Sequence, residues 1–293
     1  MKAIVFSRKI TLRYCFYQVA YYAACVGTSS FATTYLLEKG FRASQIGMIL
    51  ALTNIFSCIF QPLLGDIVDR LKRFILPQMI ATLLAGSFGC FAMIQFFQPP
   101  LVLFGILYGL GLLLISITVF LNNSLCAFYT ENGCPINYGM GIGIGSFAFS
   151  LFSLGMGYVL AWLGMDWMIW FALSCIAIQT IIVLGYPKFS NKKINKSEKK
   201  DDVLNQRVSL WVFFGKYKYF MITLFGIMFL AMCHCMMENY LITIFESMGG
   251  GSEHVGIALF VASFTATPIL LFFEKVQKKI NVLILMRLAG VLH

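Results

Sequence analysis

One pair of ionisable residues has the spacing for proton transfer inside an apolar segment. His234 and Glu238 are four residues apart, so their side chains share one face of a helix and can touch. Glu238 is the only carboxylate well inside an apolar stretch, and an acid within a membrane span is by default functional because it is costly to insert. The pair is therefore a candidate site for proton coupling. The alternative is that Glu238 lies in water at the outer interface.

Two adjacent amides are the next candidates for chemistry. Asn122 and Asn123 lie toward the middle of an apolar stretch, where a side-chain amide can donate to and accept from a polar solute. Uncharged polar groups within spans also hydrogen-bond neighbouring helices. The sequence predicts solute binding by this pair and leaves the packing role open.

Two patterns that suggest other chemistry fail on geometry. Adjacent residues of a helix point about 100° apart, so Cys233, His234 and Cys235 cannot converge on one ion without further partners. The glycines of GMGIGIGSFAF are not followed by the lysine of a phosphate-binding loop, and their spacing favours close helix packing. The sequence has no Ser-His-Asp set and no HExxH. We therefore predict no catalytic residue, no metal and no cofactor; a membrane enzyme acting on lipids is the least favoured alternative.

The composition indicates what positions these residues. The 293 residues are 59% hydrophobic and only 12% charged, with a mean hydropathy of +0.82, whereas soluble domains carry about 25% charged residues. This predicts a multi-pass membrane protein in contact with the lipid bilayer. The net charge of +10 does not indicate nucleic acid, because the basic residues form short blocks between apolar stretches.

Eight apolar stretches are long enough to cross a bilayer, and each is predicted to be a helix. They cover about 12–37, 44–65, 75–97, 100–128, 138–163, 167–187, 219–247 and 254–274. A ninth stretch begins near Asn281.

The distribution of Lys and Arg predicts the orientation of the chain. Nineteen basic residues lie before the first stretch or in the connections after the second, sixth and eighth stretches, all on the same side of the membrane as the amino terminus. Only Lys39 and Arg42 lie in connections on the other side. The amino terminus and the loop 188–218 are therefore predicted to be cytoplasmic, in a cell (inner) membrane. The predicted domains are a six-helix bundle over 1–187, a basic cytoplasmic linker over 188–218 and a partial second bundle over 219–293.

The connection after the second stretch carries a family resemblance. GDIVDRLKRF, with Gly65, Asp69 and Arg70, resembles the loop signature of the major facilitator superfamily, and FSCIFQPLLGDIVDR is similar to its lactose-permease-like, oligosaccharide/proton symporter branch. Gly65 permits close helix approach, and Asp69 at a helix end can pair with a cation. The resemblance implies that Gly65, Asp69 and Arg70 form a gate.

Two further segments resemble the same branch. INYGMGIGIGSFAFSLFSLGMGYVL is similar to its fifth span, and MENYLITIFESMGG, which contains Asn239, to its seventh. The resemblance places Cys126 where the lactose permease has an acidic partner, and Phe149 where the branch has a ring-stacking aromatic. An isoleucine, Ile142, stands at the position of the usual sugar-recognising arginine.

The resemblance implies an all-α transmembrane fold, a major-facilitator-like helical bundle with a complete six-span first half and a partial second half. The expected function is transport of a small polar solute by alternating access, with a sugar or oligosaccharide as candidate solute and protons as candidate coupling ion. The expected solute-binding residues are Asn122, Asn123, Cys126, Phe149 and Asn239. Three alternatives stay open: a truncated protein that does not transport, a bundle that partners another chain, and an efflux pump of the superfamily.

Overall fold

The computed structural model describes residues 2–70, 76–131, 134, 136–186 and 217–277. These residues form nine α-helices, and they contain no strand. The helices are α1 Lys2–Cys25, α2 Ala32–Glu38, α3 Ala43–Arg70, α4 Leu76–Phe97, α5 Leu101–Glu131, α6 Tyr138–Leu163, α7 Asp166–Leu184, α8 Lys218–Ser247 and α9 Ser252–Gln277. The all-helical prediction is confirmed. The ninth apolar stretch and nearly all of the 188–218 linker lie outside the described residues.

Membrane-length helices dominate the described chain. Five of them (α3 to α7) are long and apolar enough to cross a bilayer, and a sixth qualifies if Met221–Met237 and Asn239–Phe245 of α8 are taken as one span. α1 and α9 lie where the first and eighth spans are expected, but they are not among these five or six.

The first apolar stretch is not one continuous α-helix, contrary to the expectation for 12–37. A π-helical turn, Val26–Ser30, separates α1 from α2. Within this segment, Thr28 and Ser29 each donate a hydroxyl to the carbonyl four residues back, both at 2.8 Å. From α5, the Tyr108 hydroxyl donates to the Thr28 carbonyl at 2.6 Å, so a helix-terminal acceptor is satisfied across the bundle.

Three tight connections between helices each contain a glycine with positive φ. Gly40 after α2, Gly164 after α6 and Gly249 after α8 all have positive φ, between +81° and +91°. Glycine adopts this left-handed conformation without a Cβ penalty and ends a helix there. A salt bridge ties two of these connections together: Lys39 Nζ lies 2.6 Å from Asp166 Oδ1.

The described helices fall into two compact units. The first contains residues 1–186 and 239–280, in which α1 packs on α6 and α7, α5 on α3 and α4, α4 on α7, and α9 on α6. The second contains residues 187–238 and 281–293, and its described part is the first two-thirds of α8. The predicted domain limits at 187 and 218 remain predictions.

Candidate functional site

A row of three side chains on α1 faces a row of small residues on α6. Tyr14, Gln18 and Tyr22 are four residues apart and therefore lie on one face of α1. Opposite them, a Cβ atom on Gly141 would collide with the Tyr14 ring, and one on Gly145 with the Tyr22 ring. The glycines therefore bring this face of α1 against α6. We call Tyr14, Gln18 and Tyr22 the α1 row.

A hydrogen bond and two ring contacts fix the α1 row. Gln18 Nε2 donates to the Tyr14 hydroxyl at 2.7 Å. The Tyr14 ring lies 6.3 Å from that of Tyr138 at the start of α6, and the Tyr22 ring meets Phe149 edge-on at 6.2 Å. Such ring pairs favour one relative geometry. Both ends of the row are thus held by aromatic residues of α6.

The predicted residues Cys126 and Phe149 both adjoin this row. Cys126 on α5 is buried and lies in the neighbourhood of Tyr14 and Tyr138. Phe149 contacts Tyr22 at the other end of the row. Tyr22 is eight residues after Tyr14, which is about 12 Å along the axis of α1 at 1.5 Å per residue. Residues that the sequence placed on different helices therefore lie beside the same face of α1.

The structure separates the two predicted asparagines. Asn122 is only 2% exposed and lies one turn before Cys126 on the same face of α5. Its Oδ1 atom accepts no hydrogen bond from the described residues, although a buried carbonyl oxygen normally has a partner. Asn123, in contrast, is exposed. Of the adjacent pair, Asn122 alone points into the helix bundle.

The predicted coupling and gating residues are less completely described. His234 is exposed on α8, Asn239 is half-buried, and the side chain of Glu238 lies outside the described part of the structure. Asp69 and Arg70 end α3, and their side chains also lie outside it. Gly65 meets α5 closely: a Cβ atom there would lie 3.1 Å from Cζ of Phe120.

A second polar cluster fills the interior between α1, α5 and α7. The Tyr17 hydroxyl faces Thr118 and Gln179 without forming a hydrogen bond of good geometry with either. Tyr17, Thr118 and Gln179 are each at most 1% exposed. Toward the amino-terminal end of the bundle, the Arg13 guanidinium lies over the Tyr186 ring at 5.8 Å. The first bundle therefore has a polar interior as well as the α1 row.

Small and hydroxylated residues join α6 to α9. Ser252 donates to the Gly157 carbonyl at 3.3 Å, and the Ser146 hydroxyl contacts both the Ser263 carbonyl and the Thr267 hydroxyl at 3.5 Å. At Gly143, a Cβ atom would collide with the Leu271 side chain. Such residues allow helix backbones to approach closely in a membrane. This α6–α9 seam extends over more than three turns of α6.

Sequence reasoning did not single out the α1 row. The available signal was the matched four-residue spacing of Tyr14, Gln18 and Tyr22 on α1 and of Gly141 and Gly145 on α6.

The described residues contain no cluster of three or more His, Cys, Asp or Glu side chains that could hold a metal ion.

The sequence matches the MFS_1 like family over residues 10–293. The chain belongs to this family, and it is a multi-pass membrane transporter of the major facilitator type. Proteins of this type are generally not enzymes. A search of curated proteins found no match.

Proposed function

We propose that the chain binds a small polar solute of the sugar class at the α1 row and moves it across the membrane by alternating access. The observation that carries the proposal is the α1 row itself: Gln18 donates to the Tyr14 hydroxyl, and the Tyr22 ring meets Phe149 edge-on. Aromatic faces suit the apolar face of a sugar ring, and amides suit its hydroxyls. A mostly apolar lining with a few polar groups is typical of small-molecule sites.

Asn122 adds the polar group that the proposal most needs. Its Oδ1 atom is buried beside Cys126 and free to accept a hydrogen bond. A solute hydroxyl would satisfy that acceptor, and leaving such a group unpaired costs about 1–3 kcal/mol. We propose that Asn122 binds the solute and that Asn123 does not.

The resemblance to the lactose-permease-like branch supports the choice of solute class. The resemblance rests on two segments. GDIVDRLKRF begins within the last turns of α3, and INYGMGIGIGSF covers the start of α6. Ile142 replaces the sugar-recognising arginine of the branch, so we propose a solute bound by neutral groups. We further propose a cytoplasmic amino terminus and a gate at Gly65, Asp69 and Arg70.

Uptake by proteoliposomes tests the binding proposal with a matched pair of variants. Counterflow is measured with a panel of labelled glucose, galactose, lactose, sucrose and melibiose. We expect Asn122→Leu to reduce exchange of the transported sugar about tenfold or more, since about 1.4 kcal/mol corresponds to that factor, and Asn123→Leu to leave it within about twofold.

Equal loss of exchange in both variants would count against a specific role of Asn122. Failure of every sugar in the wild-type protein, together with exchange of apolar amines, would replace the proposal with that of an efflux pump.

A further inference from the structure

A groove opens on the outer surface of the bundle between α6 and α7, away from the α1 row and the α6–α9 seam. Its volume is about 410 Å³. Its walls include Leu151 and Phe152 of α6 and Trp167, Trp170 and Phe171 of α7. Gly155 contributes no side chain, and a Cβ atom there would meet no other atom within 4 Å.

The lining of the groove is apolar. The Phe152 and Phe171 rings pack 5.6 Å apart across it. Ser174, its one hydroxyl-bearing residue, donates to the Trp170 carbonyl at 2.9 Å, so that hydroxyl is already satisfied by its own helix. An occupant would therefore meet hydrocarbon surface rather than hydrogen-bonding groups.

The position of the groove indicates what surrounds it. Both α6 and α7 are membrane-crossing helices. Trp162, Trp167 and Trp170 are 84%, 50% and 42% exposed near the connection between these helices, as in the aromatic belts that mark a membrane–water interface. From Trp167 to Ser174 the groove follows two turns of α7, about 10 Å along the helix axis.

A pair of opposite charges lies at the start of α7, next in sequence to the groove residue Trp167. Asp166 immediately precedes Trp167, and its side chain is 67% exposed in the salt bridge with Lys39, whose side chain is 31% exposed. A carboxylate and an ammonium group at the interface complement the phosphate and the cation of a zwitterionic headgroup. An apolar groove below a mixed-charge pair thus fits the two parts of one amphiphile.

We propose that this groove binds one phospholipid, with an acyl chain along Gly155 between α6 and α7 and a zwitterionic headgroup at Lys39 and Asp166. The site is separate from the solute site. Its ligand comes from the bilayer and is retained when the protein is extracted from the membrane.

Native mass spectrometry of the purified full chain tests the proposal. The protein is washed free of native lipid in detergent and titrated with dioleoyl phosphatidylcholine, and the retained lipid is counted per chain. We expect one lipid per wild-type chain. Gly155→Leu fills the groove and should weaken retention roughly tenfold, because the loss of about two buried methylene groups is sufficient for that factor.

Gly89→Leu is the matched control. Like Gly155, Gly89 is a glycine of a helix long and apolar enough to cross the membrane; it is half-exposed, and a Cβ atom there would meet no other atom within 4 Å. We expect this variant to retain the lipid as the wild-type chain does. Equal retention by all three proteins would overturn the proposal, since the lipid would then be held by the general surface.

A second measurement needs no groove-filling variant. With Trp162 and Trp211 replaced by Phe, tryptophan fluorescence reports Trp167 and Trp170 alone. We expect a brominated phosphatidylcholine to quench most of this emission at low mole fractions in vesicles. Quenching that rises only in proportion to the mole fraction of brominated lipid would overturn the proposal. Light scattering that shows a dimer, converted to a monomer by Gly155→Leu, would also overturn it, because the groove would then bind a second copy of the chain.

Discussion

Gly157 of α6 and Gly256 of α9 meet backbone to backbone: a Cβ atom on Gly157 would lie 2.9 Å from the Cα atom of Gly256. Conversely, a Cβ atom on Gly256 would lie 2.7 Å from the Ser153 carbonyl oxygen. Backbone atoms cannot move aside as a flexible side chain can. This pair therefore fixes the distance between the two helices at one end of the α6–α9 seam.

The first prediction concerns that pair. Gly256→Ala should lower the free energy of unfolding by about 1–3 kcal/mol, the usual cost of forcing an added group into a packed interface. The measurement is thermal unfolding of the purified protein in detergent. Gly89→Ala serves as control, since its Cβ has open space, and equal melting of the two variants would contradict the contact.

The positions of the helices follow from the sequence because an apolar run of about 20 residues leaves a membrane chain few options. The π-helical turn at Val26–Ser30 could not be predicted in the same way. The hydroxyls of Thr28 and Ser29 are visible in the sequence, but the bond from Tyr108 comes from 80 residues away. Helix position is a local property, whereas an interruption stabilised by another helix is not.

The candidate site shows the same division. Asn122 and Asn123 are equivalent in the sequence, and only packing decides that Asn122 is buried and Asn123 exposed. The α1 row depends likewise on which face of α1 meets Gly141 and Gly145. Hydropathy identifies spans, while the face that each span turns inward depends on the shapes of its neighbours.

The second prediction compares two buried tyrosines. The Tyr108 hydroxyl donates to the Thr28 carbonyl at 2.6 Å, whereas the Tyr17 hydroxyl has no hydrogen-bond partner of good geometry among the described residues. Tyr108→Phe should lower the free energy of unfolding by about 0.5–1.5 kcal/mol, and Tyr17→Phe should leave it unchanged or raise it. Thermal unfolding of both variants measures the difference. A larger loss for Tyr17→Phe would show that its hydroxyl is well bonded.

The third prediction concerns the salt bridge between Lys39 and Asp166. Both side chains are partly exposed, at 31% and 67%, so water and salt screen their attraction. A double-mutant cycle with Lys39→Met and Asp166→Asn should give a coupling energy of about 0.2–1 kcal/mol that decreases with added salt. A coupling that salt does not change would show that the pair is more buried than the structure has it.

The fourth prediction is the orientation of the chain. Exposed Arg42 lies in the connection from α2 to α3, and Asn195 lies in the basic 188–218 segment. With the exposed Cys58, Cys233 and Cys235 replaced by serine, a membrane-impermeant maleimide should label Arg42→Cys in intact cells. It should label Asn195→Cys only after permeabilisation, because the basic side faces the cytoplasm. The reverse pattern would invert the proposed topology.

The fifth prediction concerns proton coupling through Glu238. If this carboxyl group carries the coupled proton, Glu238→Gln keeps the size of the side chain and, like a protonated carboxyl, can both donate and accept hydrogen bonds, but it can no longer bind and release a proton at that position. The variant should therefore exchange solute in counterflow as the wild-type protein does, yet fail to accumulate it against a gradient when a proton gradient is imposed on proteoliposomes.

His234 provides the comparison for that experiment, because it lies one helical turn before Glu238 on α8. His234→Gln should retain accumulation but shift its pH dependence, as expected of a residue that assists the carboxyl group without carrying the proton itself. Unchanged accumulation in Glu238→Gln would show that Glu238 is a solvated residue of the interface. Loss of counterflow as well as accumulation would instead indicate a role of Glu238 in solute binding or in the conformational change.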